Sequence, residues 1–268
     1  MGGIARSASA GVVVSLGIGA AMAGLGASNQ DPAAQPLRVR GQVLVEGGGG
    51  LPGARIKTDA IRGPGGAQFV GQREFVVRTN RSGDWSLLGM TRGLWILELS
   101  APGHLPHVAV IPIFWMRAPE PMPWDSSLAL MPVAMVAPPG SAGEAAGRRV
   151  VEAAEQLLAG DGVAAREALR RIAESNMEPA ALCAAGDLAL LLREPAIARR
   201  FFERAASASA KWYRPELGIA SASMMLLDFD RAMKAYTAAR AHAPSQRLER
   251  MLSSAVRELQ QIRAIGRD

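Results

Sequence analysis

Apolar and polar residues alternate in short runs along the part of the chain that follows residue 36. In the first run an apolar face with a period of two is formed by Leu37, Val39, Val43 and Val45, and the opposite face holds Arg38, Arg40, Gln42 and Glu46. This spacing is typical of a half-buried β-strand. Further runs bounded by turn residues predict strands at Ala54–Ala60, Glu74–Thr79, Trp85–Leu88, Leu94–Ala101, Pro106–Trp115 and Ser127–Met131. About seven strands of this kind predict an all-β sandwich over residues 36–136.

After residue 144 the strand pattern stops, and Ala, Leu, Arg and Glu recur at helical spacing. The predicted helices cover residues 145–159, 162–174, 179–192, 195–208, 213–227, 229–241 and 245–265. Pro179 and Pro195 stand at the starts of two of them, where the missing backbone N–H does little harm. The pattern predicts an all-α region of helical hairpins with a final helix over residues 145–268.

Part of the helical pattern repeats after 34 positions. The recurring pairs are Ala198 and Ala232, Phe202 and Tyr236, Ala205 and Ala239, and Gly186 and Ala220. A period of this length is typical of stacked helical hairpins, which bind partners through their surfaces. The spacing resembles tetratricopeptide repeats, with a good match over the last two hairpins and a one-residue slip in the first. The resemblance implies an all-α solenoid.

In tetratricopeptide proteins, the first helices of successive hairpins line a groove that holds extended peptides or partner helices. Carried over to the matching positions, the resemblance implies these groove residues: Arg149, Gln156, Asp187, Arg214, Ser221 and Met224. An arginine can hold a partner carboxylate through paired N–H donors, which suits Arg149 and Arg214. The alternative is that both are ordinary solvated arginines.

Turn residues in the β-region carry a second resemblance, to carboxypeptidase regulatory-like domains, which covers Val39 to His104. The matching positions are Gly41, Leu51-Pro52-Gly53-Ala54, Thr79, Gly83, Trp85-Ser86-Leu87, Gly93, Leu97 and Ala101-Pro102-Gly103-His104. Trp95 and His104 depart from the family, which has a tyrosine and another aromatic residue there. The resemblance implies a seven-stranded prealbumin-like sandwich. It implies no peptidase activity, because the regulatory module lacks the zinc-binding catalytic domain.

Residues 1–30 predict a signal peptide, because a short basic start precedes an uncharged apolar stretch that ends in small residues. We expect cleavage after Ala23 or Ala27, and hence a secreted or periplasmic bacterial protein of the cell envelope with no stable transmembrane span. A retained membrane anchor is the alternative, although Gly and Ser dilute the segment. Residues 137–144 have the Pro and Gly content of an interdomain linker, which permits more than one arrangement of the two regions.

The last predicted helix has an apolar stripe formed by Leu248, Leu252, Val256 and Leu259. A terminal helix of this kind covers the open end of a helical stack. The alternative is a dimerisation helix or a helix on a membrane surface. Glu249 on its polar face favours the capping role.

Charge and cysteine content narrow the choice of partner and compartment. The chain has 30 basic and 24 acidic residues, a net charge of +6, but the two signs are interleaved. This mixed surface predicts no nucleic-acid partner. Cys183 is the single cysteine, so no intramolecular disulfide can form, and its apolar helical surroundings predict a buried thiol.

The sequence contains no catalytic motif that we recognise. It has no His-Glu-x-x-His, no glycine loop followed by Lys, and no Gly-x-Ser-x-Gly. His104 and His107 form a His-x-x-His pair, but no third ligand is evident, and a pair of turn residues is the preferred interpretation. We therefore expect no enzyme activity, no metal site and no cofactor.

These observations favour a non-catalytic scaffold that binds another envelope protein, or a peptide segment of one, through the helical groove. The sandwich would serve as a docking or spacer module. The alternative is a carbohydrate-binding sandwich tethered by the helical repeats, in which Trp115 or Trp124 stacks on sugar rings. Exposure of those tryptophans distinguishes the two hypotheses.

Overall fold

A computed structural model describes residues 37–61, 74–90, 93–113, 124–173 and 175–265. All of these belong to one compact unit, Pro32–Asp268. The predicted signal peptide and Trp115 lie outside the described residues, and so does the side chain of Trp124.

Seven strands form the N-terminal part of the described chain, in the places that the alternating pattern predicts. They are β1 (Leu37–Val45), β2 (Arg55–Ala60), β3 (Phe75–Arg78), β4 (Asp84–Met90), β5 (Gly93–Ser100), β6 (His107–Ile113) and β7 (Trp124–Leu130). One sheet has the order β4-β1-β7, and the other has the order β3-β2-β5-β6. β1 and β7 run parallel, and the other pairs of described strands are antiparallel.

The apolar faces of these strands supply the β part of the core. On β1 the side chains of Val39 and Val43 are buried, whereas Arg40 between them is exposed, as the alternation predicts. Trp85 and Trp95 are buried, so both supply core volume.

Gly83, in the turn before β4, lies too close to β1 to carry a side chain. Its φ is +80°, a value that side chains disfavour, and a Cβ there would lie 2.4 Å from the carbonyl oxygen of Val43. The N–H of Val43 donates to the carbonyl of Gly83 at 2.8 Å. The turn is therefore bonded directly to β1.

Helices make up the rest of the described chain. They are α1 (Val133–Val136), α2 (Glu144–Leu158), α3 (Gly162–Ile172), α4 (Pro179–Leu191), α5 (Pro195–Ala208), α6 (Tyr213–Met225), α7 (Phe229–Ala241) and α8 (Gln246–Ile265). Pro179 and Pro195 begin α4 and α5, as expected. The side chains of Asp161 and Asp228 accept backbone N–H groups at the starts of α3 and α7, which is the usual N-cap role. The short α1 has no counterpart in the sequence-based prediction.

Consecutive helices pack as hairpins, α2 with α3, α4 with α5, and α6 with α7. Phe202 of α5 fills the space between α4 and α6 and faces Gly186 and Gly218. A Cβ on Gly186 would lie 2.6 Å from the ring, and one on Gly218 would lie 2.3 Å from it. The two glycines therefore make room for the aromatic ring between neighbouring hairpins.

The strands and helices share one hydrophobic core. β6 packs against α4, α6 and α8, and β7 packs against α8. This differs from the expectation that the linker at residues 137–144 permits several arrangements. Burial of these two strands against helices fixes the arrangement, whatever freedom the connecting residues would have by themselves.

α8 lies at the end of the helical region and packs against α7, β6 and β7. Its apolar stripe is buried within the chain, with Leu248, Leu252, Val256 and Leu259 all 9% exposed or less. This burial agrees with the capping interpretation. Within the described part of the chain, no helix combines the length and the apolar character needed to cross a bilayer.

Candidate binding groove

β6 lies at the edge of the four-stranded sheet, yet it is buried along its whole length. Its sequence, HVAVIPI, is a nearly continuous apolar run rather than an alternating one. Such a run is typical of a strand that is covered on both faces. β5 pairs with one edge of β6, and helices pack against the strand elsewhere.

One edge of β6 pairs with β5, and side chains of the helices form hydrogen bonds with its other edge. The N–H of Val108 donates to Oδ1 of Asp187 on α4 at 3.2 Å, and the N–H of Val110 donates to Oγ of Ser221 on α6 at 3.2 Å. The hydroxyl of Tyr236 on α7 donates to the carbonyl of Val110 at 2.6 Å. We call the surface formed by Asp187, Ser221 and Tyr236 the β6 groove. It holds an extended backbone much as a neighbouring strand would.

Pro112 accounts for the end of this pattern. It lies two residues after Val110 and therefore faces the same side of the strand, but proline has no N–H to donate. Proline is tolerated at a sheet edge because no ladder hydrogen bond is lost there. Both N–H groups available on this side of β6, those of Val108 and Val110, have helical partners.

A buried charge network lies beside the groove and joins the two parts of the fold. The guanidinium of Arg214 donates to Oδ2 of Asp187 at 3.1 Å, to Oε2 of Glu46 at 3.3 Å and to the carbonyl of Ala129 on β7 at 2.6 Å. Arg214 is 1% exposed and Asp187 is fully buried. Buried charges require such pairing, because an unpaired ion in the protein interior is strongly unfavourable.

Three further side chains complete this network. His107 at the start of β6 places Nδ1 2.9 Å from Oδ1 of Asp187, so Nδ1 is the nitrogen that carries the proton. The indole N–H of Trp212 and the hydroxyl of Tyr213 donate to the two oxygens of Glu46, at 3.0 and 3.2 Å. Asp187 is thus held by donors from β6 and α6, whereas Glu46 is held by donors from α6 and from Trp212 immediately before it.

Arg214 and Tyr213 of this network have raised pKa values, and so does the nearby thiol of Cys183. Burial alone would lower the pKa of Arg214, but the carboxylates of Asp187 and Glu46 more than offset this and raise the pKa above its usual range. Burial raises the pKa of Tyr213, and Glu46 raises it further. Burial also raises the pKa of the Cys183 thiol on α4, which makes it a poor nucleophile.

The structure divides the six predicted groove residues into two groups. Asp187, Arg214, Ser221 and Met224 are each 1% exposed or less. The first three contact strands of this same chain, so they are not open to an external partner. Arg214 does hold carboxylates, as its side-chain chemistry suggests, but they are those of Asp187 and Glu46. Only Arg149 and Gln156, on α2, are exposed.

Sequence reasoning missed the strand partners of these helices. Glu46, His107 and Tyr236 all contribute to the interface, although in the sequence Tyr236 is recognisable only as the counterpart of Phe202 in the repeat. One usable signal is the unbroken apolar run of β6, which indicates cover on both faces. Glu46 has no local signal, because its partners Trp212 and Arg214 follow more than 160 positions later.

The two histidines of the His-x-x-His pair have different surroundings. His104 lies in a turn, with Nδ1 2.9 Å from the carbonyl of Pro102. His107 is not a turn residue, which corrects the prediction, because it begins β6 and is buried against Asp187. Over the residues that the structure describes, no group of three or more His, Cys, Asp or Glu side chains is arranged to hold a metal ion.

No family model matches the chain, and no curated protein matches it. Solved structures with some similarity include PcrH from Pseudomonas aeruginosa, at 17% identity and a TM-score of 0.37, covering 46% of this chain and 96% of PcrH. PcrH in complex with the chaperone binding region of PopD gives 18% identity and a TM-score of 0.38, covering 47% of this chain and 97% of the other. The PcrH similarity lies in the helical part.

Catechol 1,2-dioxygenase from Acinetobacter sp. ADP1 is similar at 13% identity and a TM-score of 0.29. That match covers 39% of this chain and 55% of the dioxygenase. TM-scores this low establish no shared function with either PcrH or the dioxygenase.

Proposed function

We propose that this protein is a non-catalytic binding protein whose helical hairpins recognise extended protein segments, with the β-region fixed to them as a docking module. The observation that supports the proposal is the hydrogen bonding of β6 by side chains of α4, α6 and α7. Contacts to backbone N–H and C=O groups depend little on the side chains of the bound strand. The same kind of helical surface therefore suits segments of other proteins.

A partner of the folded chain must bind away from the β6 groove, because β6 fills it. On α2, Arg149 and Gln156 are exposed, and Arg149 has no carboxylate partner among the described residues. A free guanidinium on an exposed helix can pair with a partner carboxylate. We therefore propose the exposed face of α2 as the partner contact.

We also propose finer assignments for the fold and the location. The β-region would be a prealbumin-like sandwich of the carboxypeptidase regulatory-like type, and the helices a tetratricopeptide-like solenoid. Seven strands in two sheets and the packing of Phe202 between hairpins support these assignments. The basic start and apolar stretch of residues 1–30 support a secreted or periplasmic protein of the cell envelope.

Affinity capture from envelope extract tests the proposal, with the full chain as bait and cross-linking before mass spectrometry. We expect a saturable protein partner whose cross-links map to α2, and we expect Arg149→Glu to abolish its capture. Arg240→Glu is the matched control, because Arg240 is also an exposed helical arginine without a carboxylate partner among the described residues. Capture by the control should equal that of the natural chain.

Two outcomes would contradict the proposal. Recovery of glycans without a protein partner would favour the carbohydrate-binding alternative, with Trp115 or Trp124 as the stacking residue. Reproducible hydrolysis or another turnover by the purified protein would contradict the non-catalytic assignment.

A further inference from the structure

A second open groove runs along α3 and α5, on a different surface from α2. It joins a cavity of about 470 Å³, floored by Leu169, Ile197 and Phe201, to a neighbouring depression of about 720 Å³. Arg200 and Arg204 line both, so the two spaces are adjacent. We call this surface the arginine groove.

The arginines of this groove carry charges that no described carboxylate neutralises. The side chains of Arg170 and Arg200 are exposed, and neither guanidinium has a hydrogen bond or ion pair with any described residue. Arg204 donates to the carbonyls of Ala173 and Ser175. Carbonyl groups satisfy its N–H donors but leave its full positive charge in place.

The carboxylates in the walls of the groove are already paired with other arginines. Glu194 accepts from Nε of Arg166 at 2.6 Å, and Glu203 lies 3.1 Å from a guanidinium nitrogen of Arg231. Glu174 lies outside the described residues and carries one charge, which can neutralise no more than one of the three groove arginines. The groove therefore has a net positive charge above an apolar floor.

We propose that the arginine groove binds an acidic protein segment in which an apolar side chain is flanked by Asp or Glu. The apolar side chain enters the cavity over Leu169, Ile197 and Phe201. The flanking carboxylates pair with Arg170 and Arg200, for which the guanidinium fork is well suited. This inference extends the proposed function to a second surface and specifies the chemistry of its partner.

The floor of the groove favours a protein segment over a nucleic acid. An apolar pocket that can accept one side chain gains affinity by burying it, whereas a phosphate backbone gains nothing there. Protein surfaces that bind nucleic acids are broad and basic. In this groove the carboxylates of Glu194 and Glu203, each paired with an arginine, lie beside the unpaired arginines. A nucleic acid is therefore an outcome of the test rather than the expected ligand.

A peptide array tests this proposal, with the full chain as the probe. Each peptide holds one Phe or Leu flanked by Glu, Asp, Ser or Lys, and the strongest binders are remade with a fluorescent label for anisotropy titration. We expect binding only to the acidic series and weaker binding as salt is added. Arg200→Glu and Arg170→Glu should each weaken it by about tenfold or more, whereas Arg240→Glu should leave it unchanged.

Equal binding of the lysine series, no binding of any acidic peptide, or tighter binding of a labelled oligonucleotide would overturn the inference. Unchanged affinity in Arg200→Glu and Arg170→Glu would overturn it as well. The envelope capture distinguishes this failure from failure of the proposed function. A protein partner that is lost with Arg149→Glu but retained with Arg200→Glu would leave the proposed function standing without the arginine groove.

Discussion

At the scale of single residues, Arg214 shows how side-chain chemistry can be predicted while its partner cannot. Its sequence position implies a groove arginine that holds carboxylates, and it does hold two. Both belong to this chain, and one of them, Glu46, lies on the other part of the fold. Arg149 has the same chemistry but stays exposed on α2. Burial, which depends on the tertiary structure, separates the two.

The buried ion pair gives the first prediction. Asp187→Ala removes the carboxylate that binds Arg214, His107 and the N–H of Val108. We expect a loss of about 3–5 kcal/mol in the free energy of unfolding, because a buried charge is left short of its partner. Urea denaturation at neutral pH measures it.

Arg171→Ala is the control for this prediction. Arg171 pairs with Glu167 on the surface of α3, and both side chains are more than half exposed. An exposed pair of this kind contributes about 0–1 kcal/mol, so the control should unfold nearly as the natural chain does. If Asp187→Ala unfolds like Arg171→Ala, the buried charge network contributes little to the stability of the fold.

A second residue-scale prediction concerns Glu216 on α6. Partial burial raises the pKa of its carboxyl, although His242 nearby acts in the opposite direction. The folded state therefore holds this proton to a higher pH than the unfolded state does. Stability from this group is present below its unfolded pKa and is lost as pH rises through its folded pKa.

Glu216→Gln removes this titration. The variant should gain stability relative to the natural chain as pH rises from about 4 to about 7. Denaturation of both proteins across that range measures the difference. A difference that does not change with pH would contradict the assigned burial.

At the scale of elements, the sequence patterns identify most helices and strands closely. Pro179 and Pro195 mark helix starts because proline lacks only a donor that would be unpaired there. α1 could not be predicted, since four residues are too few to show a helical period. β4 extends over Asp84–Met90 and is longer than the predicted Trp85–Leu88. Its length is set by pairing with β1 rather than by apolar content.

The hairpin packing gives an element-scale prediction. In an isolated helix Gly→Ala would stabilise by about 1 kcal/mol. Gly186→Ala should instead destabilise the protein by about 1–3 kcal/mol, because the new Cβ would overlap the ring of Phe202. Gly218 lies against the Cγ, Cδ1 and Cε1 edge of the same ring, so the ring has little room to move toward α6. Thermal or urea denaturation shows whether the substitution raises or lowers the free energy of unfolding.

Gly162→Ala is the matched control. A Cβ there would have ordinary contacts with Leu192 and Leu157, at 3.8 and 4.0 Å. We expect it to be neutral or to stabilise by about 0.4–1 kcal/mol. If both substitutions stabilise the protein, the fit of Phe202 between α4 and α6 is looser than described.

At the scale of the whole molecule, the sequence predicts a β-region followed by a helical region, but it does not predict that the two pack against each other in one core. Hydrogen bonds between β6 and the helices join residues 79 to 126 positions apart. No local pattern of polar and apolar residues specifies such a pair. The Pro and Gly content of residues 137–144 indicates a flexible connection. It carries no information on the surfaces of β6, β7 and the helices that pack together.

The shared core predicts that the two regions unfold together. In a Trp212→Phe variant the remaining tryptophans, among them the buried Trp85 and Trp95, belong to the β-region and report on it, and the labelling of Cys183 by a thiol reagent reports on α4. Cys183 is fully buried, so a thiol reagent reaches it only when the structure opens. We expect tryptophan fluorescence and Cys183 labelling to change at the same urea concentration. Two separate midpoints would indicate two independent domains.

Backbone amide hydrogen exchange at Val108 and Val110 tests the central claim most directly, namely that the helices hold the edge of β6. These amides have no strand partner, so at a bare edge they would exchange quickly, as unpaired amides of β3 at the other edge of the sheet should. Because Asp187 and Ser221 accept them, we expect both to exchange only on global unfolding. Exchange as fast as that of β3 would contradict the account.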